Sequence, residues 1–149
     1  MPERAVVAWL RLARVYQRIN RASTALLRHW GLSLAQFDVI ARVGAAPGIS
    51  QQRLAATLLV TAGDVCQLLD RLEQRGVIER RPAGRVHRLF LTPAGQRLYA
   101  EVVPAQESLL TRLFQTLAPA EQRQLSALLR RLERALATSP STAQESPHA

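Results

Sequence analysis

The side chains best suited to reading a nucleic acid lie between Ser50 and Thr92. Gln67 and Arg71 fall on the polar side of one predicted helix, and glutamine and arginine make paired hydrogen bonds with adenine and guanine in the major groove. Arginine also binds phosphates and narrow minor grooves, and a predicted hairpin carries four of them: Arg80, Arg81, Arg85 and Arg88. A helix of this kind beside a basic hairpin predicts contact with duplex DNA.

Each of these residues also has a plain structural interpretation. Gln67 and Arg71 could be ordinary polar surface residues, and charged hairpin residues also protect a solvated sheet edge against pairing with another strand. Asp64 fits a helix-capping role better than a contact with a cytosine amine, whereas the Thr61 hydroxyl could both cap a helix and donate to a phosphate. The predicted DNA contacts are Thr61, Ala62, Gly63, Gln67, Arg71, Arg80, Arg81, Arg85 and Arg88.

Two helices joined by a tight turn are predicted to position the reading residues. Ser50 follows the breaker pair Pro47-Gly48 and suits the N-cap of the first helix. The stretch Thr61–Asp64 has the S/T-x-x-D form of a capping box, so we expect the second helix to span Thr61–Arg75. Gly76 ends it as a left-handed residue. The apolar stripe of this helix is Val65, Leu68, Leu69 and Leu72.

A β-hairpin is predicted after Gly76, because apolar and polar residues there alternate with the period of a strand. Pro82-Ala83-Gly84 is the turn signal between its two strands. Thr92-Pro93 then opens another helix, with threonine as the N-cap and proline in the first turn. One face of the second strand carries His87, Leu89 and Leu91, and the other carries Val86, Arg88 and Phe90.

Two helices are predicted before this segment. Residues 3–30 form one long amphipathic helix that Gly31 ends, and its opposite face carries a run of arginines. Ser33-Leu34-Ala35-Gln36 is a capping box for a helix that continues to about Val43. The arginines Arg14, Arg18 and Arg21 fit a solvated face better than a clamp for a carboxylate ligand.

Two more helices are predicted after the hairpin. The first runs from Thr92 to about Leu117, and Pro104 predicts a kink or break near Val103. The last starts at Pro119 and has an apolar stripe of Leu125, Leu128, Leu129, Leu132 and Leu136. Packing the first and last helices together, and against the same helices of a second copy, would bury both apolar faces. We therefore expect a two-fold homodimer.

Composition narrows the class of protein. The chain has 149 residues, a net charge of +9 and no lysine, so all 20 basic residues are arginine. The charge favours an anionic partner but does not locate its site, since residues 1–31 (six Arg, one Glu) carry +5 and residues 50–91 (seven Arg, four acids) carry +3. With one cysteine, no signal peptide and no apolar run of ~20 residues, we expect a cytoplasmic protein without disulfides, cysteine-bound zinc or membrane contact.

No arrangement of residues predicts catalysis or a cofactor. The sequence has no nucleophile elbow, glycine-rich phosphate loop or paired carboxylates, and His29, His87 and His148 have no metal-ligand spacing. Cys66 is interpreted as a small, partly buried hydrophobe in preference to a redox switch. An aromatic set on the first two helices could line a ligand pocket, although such stripes more often form core. Its members are Trp9, Tyr16, Trp30 and Phe37.

Residues 8 to 137 resemble the MarR family of winged-helix transcription regulators. The resemblance is carried by four segments taken together: Leu54-Ala55 with Leu58–Thr61, Leu68–Glu73 with Gly76, Ile78-Glu79-Arg80, and Leu91–Gly95. It implies a mainly α (α+β) fold, with a winged helix-turn-helix DNA-binding lobe at residues 32–92. A helical dimerisation lobe would come from residues 1–31 and 93–137, and residues 138–149 are expected to be a disordered tail.

The resemblance also implies what the protein does. A member of this family is expected to be a homodimer on a pseudo-palindromic operator, to repress a nearby operon, and to release DNA when a small phenolic or other aromatic effector binds between the lobes. Arg85 matches the family's wing-tip arginine, but Ala83 stands where the family usually has aspartate, and the loop is about three residues shorter than usual. The first helix lacks the cysteine of peroxide-sensing members. The alternative function is a winged helix used only for protein contacts.

Overall fold

A computed structural model of the chain describes residues 2–58 and 64–138. The first part contains α1 (Pro2–Leu27), a 3-10 turn (Arg28–Trp30), α2 (Leu34–Ala45), β1 (Ile49–Ser50) and α3 (Gln51–Thr57). The second contains α4 (Val65–Gln74), β2 (Ile78–Ala83), β3 (Val86–Leu91), α5 (Pro93–Leu113) and α6 (Pro119–Thr138). The predicted fold class, a winged helix-turn-helix in a mainly helical chain, is confirmed. Below, α4 is called the reading helix and residues 78–91 the wing.

The core lies where α2, α3 and the reading helix pack beside a three-stranded antiparallel sheet. Strand β3 is central, with Ile49 opposite Leu89 on one side and Ile78 opposite Leu91 on the other. The sheet and helices are held together by one cluster of buried apolar residues, among them Leu27, Val39, Ile40, Val43, Leu54, Leu69, Leu72, Ile78, Leu89 and Val102. The core therefore fixes the base of the wing and the inner face of the reading helix.

Local hydrogen bonds at the helix starts explain why the helices begin where they do. Ser33 and Gln36 form the predicted capping box of α2, and the Ser50 hydroxyl accepts from the amide of Arg53 at the start of α3. At the start of α5, the Thr92 hydroxyl accepts from the amide of Gly95. Each bond satisfies an amide that has no partner within its own helix.

The predicted start of the reading helix is wrong. Asp64 is extended (φ −141°, ψ 106°) and is itself the N-cap, because its carboxylate accepts from the amide of Gln67. The helix therefore starts at Val65, and its cap is not Thr61, which lies outside the described residues together with Ala62 and Gly63. Its end is as predicted, since Gly76 has a φ of +79°, in the left-handed region that favours glycine.

The wing and α5 differ from the sequence expectations in two places. Pro82 and Ala83 belong to β2, and Ala83 pairs with Val86, so the turn consists of Gly84 and Arg85 alone. Two-residue hairpin turns that begin with glycine match the twist of the flanking strands, and Gly84 has a φ of +62°. Of the kink or break predicted near Val103, the break is absent, since α5 continues through Pro104 to Leu113.

The chain divides into two compact units, Met1–Thr111 and Arg112–Ala149. Both expose apolar side chains on a long helix: Trp9 on α1 is 63% exposed, and Leu136 on α6 is 67% exposed. Among the described residues no helix combines the length and apolarity that a membrane span requires. Helix α6 ends at Thr138, and the tail predicted beyond it lies outside the described residues.

Candidate nucleic-acid interface

The reading helix has a solvent-facing stripe opposite its buried side. Leu69 and Leu72 are fully buried, whereas Gln67, Arg71 and Gln74 are exposed. At about 100° per residue, these three polar side chains lie within about 60° of one another around the helix axis. In the described parts of the chain their side chains have no hydrogen bond or ion pair, so their donors and acceptors are available to an external partner.

A third side of the reading helix faces β2 and is bonded to Arg80. One Nη of Arg80 donates to the carboxylate of Asp70 at 2.7 Å and to the carbonyl of Cys66 at 3.0 Å. The Arg80 amide donates to the carboxylate of Glu73 at 3.3 Å. Arg80 was predicted to contact DNA, but the structure places its guanidinium between the wing and the reading helix, where it connects the two.

Two further wing arginines also have partners within the chain. Arg81 donates through Nε and Nη2 to both carboxylate oxygens of Glu79, each at 3.2 Å, and its guanidinium carbon lies 4.2 Å from the centre of the Phe90 ring. Arg88 donates to the carbonyl of Gly48 at 2.9 Å, which connects β3 to the loop before β1. Both residues are exposed, so these bonds orient their guanidinium groups without burying them.

Arg85 differs from the other wing arginines. It is exposed at the tip of the turn, and its guanidinium has no partner among the residues that the structure describes. It lines one side of a groove of about 420 Å³, whose other walls come from the first turns of α3 and the reading helix, including Gln51, Val65 and Cys66. None of the groove-lining residues is acidic. The fold thus brings the free wing-tip cation close to the start of the reading helix.

Cys66 is more accessible than predicted. The sequence interpretation made it partly buried, but its side chain is exposed, and Sγ accepts a hydrogen bond from Nε2 of Gln51 at 3.0 Å. Cys66 lies on the same side of the helix as Asp70 and Glu73, about 60° from Leu69 and about 120° from Leu72, the two fully buried residues. It therefore lies beside the buried side of the helix and outside the core cluster.

The four aromatic residues of the suggested ligand pocket differ in burial. Trp30 and Phe37 are half-buried and pack on the core cluster, and the Trp30 indole donates to the carboxylate of Glu101 at 3.1 Å. Trp9 and Tyr16 are exposed on α1. With a rise of about 1.5 Å per residue, the 18 positions from Trp9 to the end of α1 cover about 27 Å. Trp9 is therefore well separated along α1 from Trp30, which follows the end of the helix.

Sequence reasoning missed the supporting roles of two arginines. Arg80 was taken for a DNA contact, although the i, i+3 pair Asp70 and Glu73 on one side of the reading helix is a signal for a nearby cation. Arg75 was assigned no role, yet it caps the end of the reading helix and donates to the backbone carbonyls of Trp30 and Gly31. A cation in the last turn of a helix is common and could be noticed in the sequence. Its bonding partner lies 44 residues earlier, so residue spacing could not predict it.

Comparison with known proteins identifies what this arrangement is similar to. Residues 30–89, from the 3-10 turn through most of β3, match the MarR family. An HTH-type transcriptional regulator of Bacillus cereus is 30% identical over 127 residues, which cover 85% of this chain and 86% of that protein.

Two solved structures have the same fold. A MarR-family regulator from Silicibacter pomeroyi is 27% identical, with a TM-score of 0.73 and 92% of each chain covered. A mutant MarR from Escherichia coli, complexed with operator DNA, is 26% identical, with a TM-score of 0.75, and the match covers 86% of this chain and 95% of that one.

Proposed function

Because the chain belongs to the MarR family of transcription regulators, we propose that it is a homodimeric repressor that binds a pseudo-palindromic operator and releases it on binding a small aromatic effector. It is a DNA-binding transcription regulator and not an enzyme, as its family and fold establish. A repressor must share a compartment with its operator DNA, so the proposal includes a cytoplasmic location and no membrane partner.

One observation carries the DNA-binding part of the proposal. The side chains of the polar stripe of the reading helix and of the wing-tip arginine project with no bonding partner in the described chain, while the neighbouring Arg80, Arg81 and Arg88 are bonded within it. Free glutamine and arginine on a helix-turn-helix fit base edges in the major groove, and a free wing-tip arginine fits the flanking minor groove or phosphates. We propose Gln67, Arg71 and Arg85 as the principal contacts, together with Thr61, Ala62 and Gly63, which precede the reading helix in the sequence.

Exposed apolar surface supports the dimer. Five large apolar residues on α1 are between 48% and 63% exposed: Val6, Trp9, Leu10, Val15 and Tyr16. On α6, Leu128, Leu132 and Leu136 are exposed by half or more. Contiguous apolar surface of this kind usually marks an interface. A second copy that covers both helices would bury it and would present two reading helices to two half-sites. In this proposal, residues 1–31 and 93–137 serve dimerisation and residues 32–92 serve DNA binding.

The effector part of the proposal is supported by the family together with the half-buried Trp30 and Phe37. Trp30 is a usable reporter, since the chain has only one other tryptophan, Trp9. In a Trp9→Phe variant, salicylate or benzoate should quench the remaining emission and lower operator affinity over the same concentration range. Quenching without DNA release would contradict the regulatory role.

Selection of bound sequences from a random duplex pool tests the main function. We expect a palindromic consensus whose half-sites are about one helical turn apart. The logarithm of the binding constant should fall linearly with the logarithm of salt concentration, by about 0.9 for each phosphate contact. No enrichment of any sequence, together with salt-insensitive capture of a protein partner, would instead support the alternative of a winged helix used only for protein contacts.

A further inference from the structure

Arg75 joins the end of the reading helix to the end of α1. Its Nη1 donates to the carbonyl of Gly31 at 3.0 Å, and its Nη2 donates to the carbonyl of Trp30. These carbonyls lie at the end of the 3-10 turn that follows α1, where Gly31 is left-handed (φ +64°). Carbonyls at the end of a helix have no partner within it and carry partial negative charge. The guanidinium therefore satisfies two acceptors that the turn itself cannot.

The acceptor side of this contact is itself held in place. The Trp30 indole donates to Glu101 on α5 at 3.1 Å, and further back on α1 the buried Ser23 hydroxyl accepts from Nε2 of Gln106 at 2.7 Å. Leu27, at the last position of α1, is fully buried in the core. The end of α1 is thus bonded to α5 at two levels, so Arg75 connects the reading helix to a fixed point and not to a loose turn.

We propose that Arg75 is a positioning residue that sets the separation and tilt of the two reading helices in the dimer, and so determines which half-site spacing the protein accepts. This inference rests on the proposed dimeric DNA-binding function. The exposed apolar face of α1 is the surface we assign to the second copy, and Arg75 bonds the turn at the end of that helix directly to the reading helix.

Arginine is required because its planar group makes two bonds in a fixed fork. Two bonds from one rigid plane to two successive carbonyls restrict rotation of the reading helix about its own end, whereas a single bond leaves a pivot. Lysine retains the charge but supplies a point contact on a flexible stem. We therefore expect Arg75→Lys to keep affinity for DNA and lose part of the geometric restriction, and Arg75→Met to lose more of it.

The single cysteine of the chain allows a direct measurement. Cys66 is exposed on the reading helix, so a nitroxide label there reports the distance between the two reading helices of a dimer without another mutation. In the parent protein we expect one narrow distance distribution near the ~35 Å spacing of successive major grooves. Arg75→Met should broaden or shift it. Arg97→Met is the matched control, since Arg97 is exposed on α5 with no bonding partner in the described chain, and it should leave the distribution unchanged.

Binding to operators of altered spacing is the second measurement. Each added base pair moves one half-site by about 3.4 Å and turns it by about 34°, so a dimer of fixed geometry should lose at least ~10-fold in affinity when one base pair is added or removed. Arg75→Met should reduce that penalty to about threefold or less, while affinity for the best spacing changes less. Trp30→Phe, which removes the donor to Glu101 and part of the ring that packs on the core, should have an intermediate effect and replaces Arg75→Met if that variant does not fold.

The outcomes separate this inference from the proposed function. A parent protein that selects no paired half-sites would overturn both. The parent protein could show a sharp spacing preference while the Arg75 and Trp30 variants keep both that preference and the same label distance. That result would overturn the role of Arg75 and leave the proposed function standing. A lower melting temperature with unchanged spacing preference and distance would also overturn it, because Arg75 would then only stabilise the fold.

Discussion

Single side chains on the reading helix and the wing fall into two groups, those with free polar atoms and those bonded within the chain. Gln67, Arg71 and Arg85 belong to the first group, whereas Arg80 and Arg81 belong to the second. The charge of a guanidinium that is already paired with a carboxylate is partly compensated, so its net gain from binding a DNA phosphate is smaller. This difference gives two predictions for individual residues.

Gln67→Ala should relax base preference at one position of each half-site. A lost bidentate contact with adenine costs about 1–3 kcal/mol at that base and little elsewhere. Repeating the selection from a random pool and comparing the two consensus sequences measures the change. Gln124→Ala removes the same group from an exposed position of α6 and should leave the consensus as it is. An unaltered consensus for Gln67→Ala would place this side chain away from the bases.

Arg85→Ala should weaken binding to all operator sequences and lower the salt slope by about one per copy, if the wing tip neutralises one phosphate. The loss should be larger where an A-tract, with its narrow groove, flanks the half-site. Arg81→Ala is the informative comparison, because it removes an equal charge whose carboxylate partner is 3.2 Å away. Equal effects from both substitutions would show that the wing contributes only diffuse charge.

At the scale of elements, Arg80 makes the hydrogen bonds that join the wing to the reading helix among the described residues. Arg80→Ala removes hydrogen bonds to Asp70 and to the Cys66 carbonyl and leaves the Asp70 carboxylate without that cation. The Arg80 side chain is 21% exposed and that of Asp70 is 56% exposed, so solvent already weakens the pair. We expect the free energy of unfolding to fall by about 1–2 kcal/mol, which urea denaturation can measure.

Arg88→Ala is the control for this effect, since it removes a single bond to a carbonyl from an exposed arginine on the neighbouring strand. It should cost less stability than Arg80→Ala. If Arg80→Ala leaves stability unchanged but lowers DNA affinity as much as Arg85→Ala does, then Arg80 contacts DNA directly, as its position on the hairpin first indicated.

At the scale of the whole molecule, the oligomeric state tests whether the exposed apolar faces form the dimer interface. Tyr16 is 49% exposed in the middle of the apolar face of α1. Tyr16→Glu would place an unpaired carboxylate in the proposed interface, and truncating an aromatic residue at an interface centre commonly costs 2 kcal/mol or more, about 30-fold in affinity. Sedimentation equilibrium should show a corresponding rise in the dimer dissociation constant.

Arg18→Gln is the matched control for the dimer, because it makes the same change in charge on the arginine-rich side of the same helix. It should leave the dimer intact. A Tyr16→Glu protein that remains a dimer would show that the second copy does not cover this face of α1, and a folded monomer that still binds a paired operator tightly would contradict the dimeric mechanism.

The sequence by itself determined the features that depend on neighbouring residues. Helix caps at Ser33, Ser50 and Thr92 were predictable because each cap bonds to an amide three residues away. Gly76 was predictable as a helix end because the left-handed conformation costs glycine almost nothing. The apolar stripe of the reading helix and the alternation in β3 follow from the fixed periods of helices and strands.

Only the tertiary structure decided which polar groups remain free. Arg80 and Arg85 look alike in sequence, but Arg80 meets Asp70, ten residues earlier, while Arg85 extends beyond the last strand pair. Likewise, nothing near Arg75 indicates that it bonds to Gly31, 44 residues away. Helix caps and the apolar periods of helices and strands depend on residues a few positions apart in the sequence. The partner of an arginine side chain depends instead on which acceptor the packing of distant elements brings within about 3 Å of it.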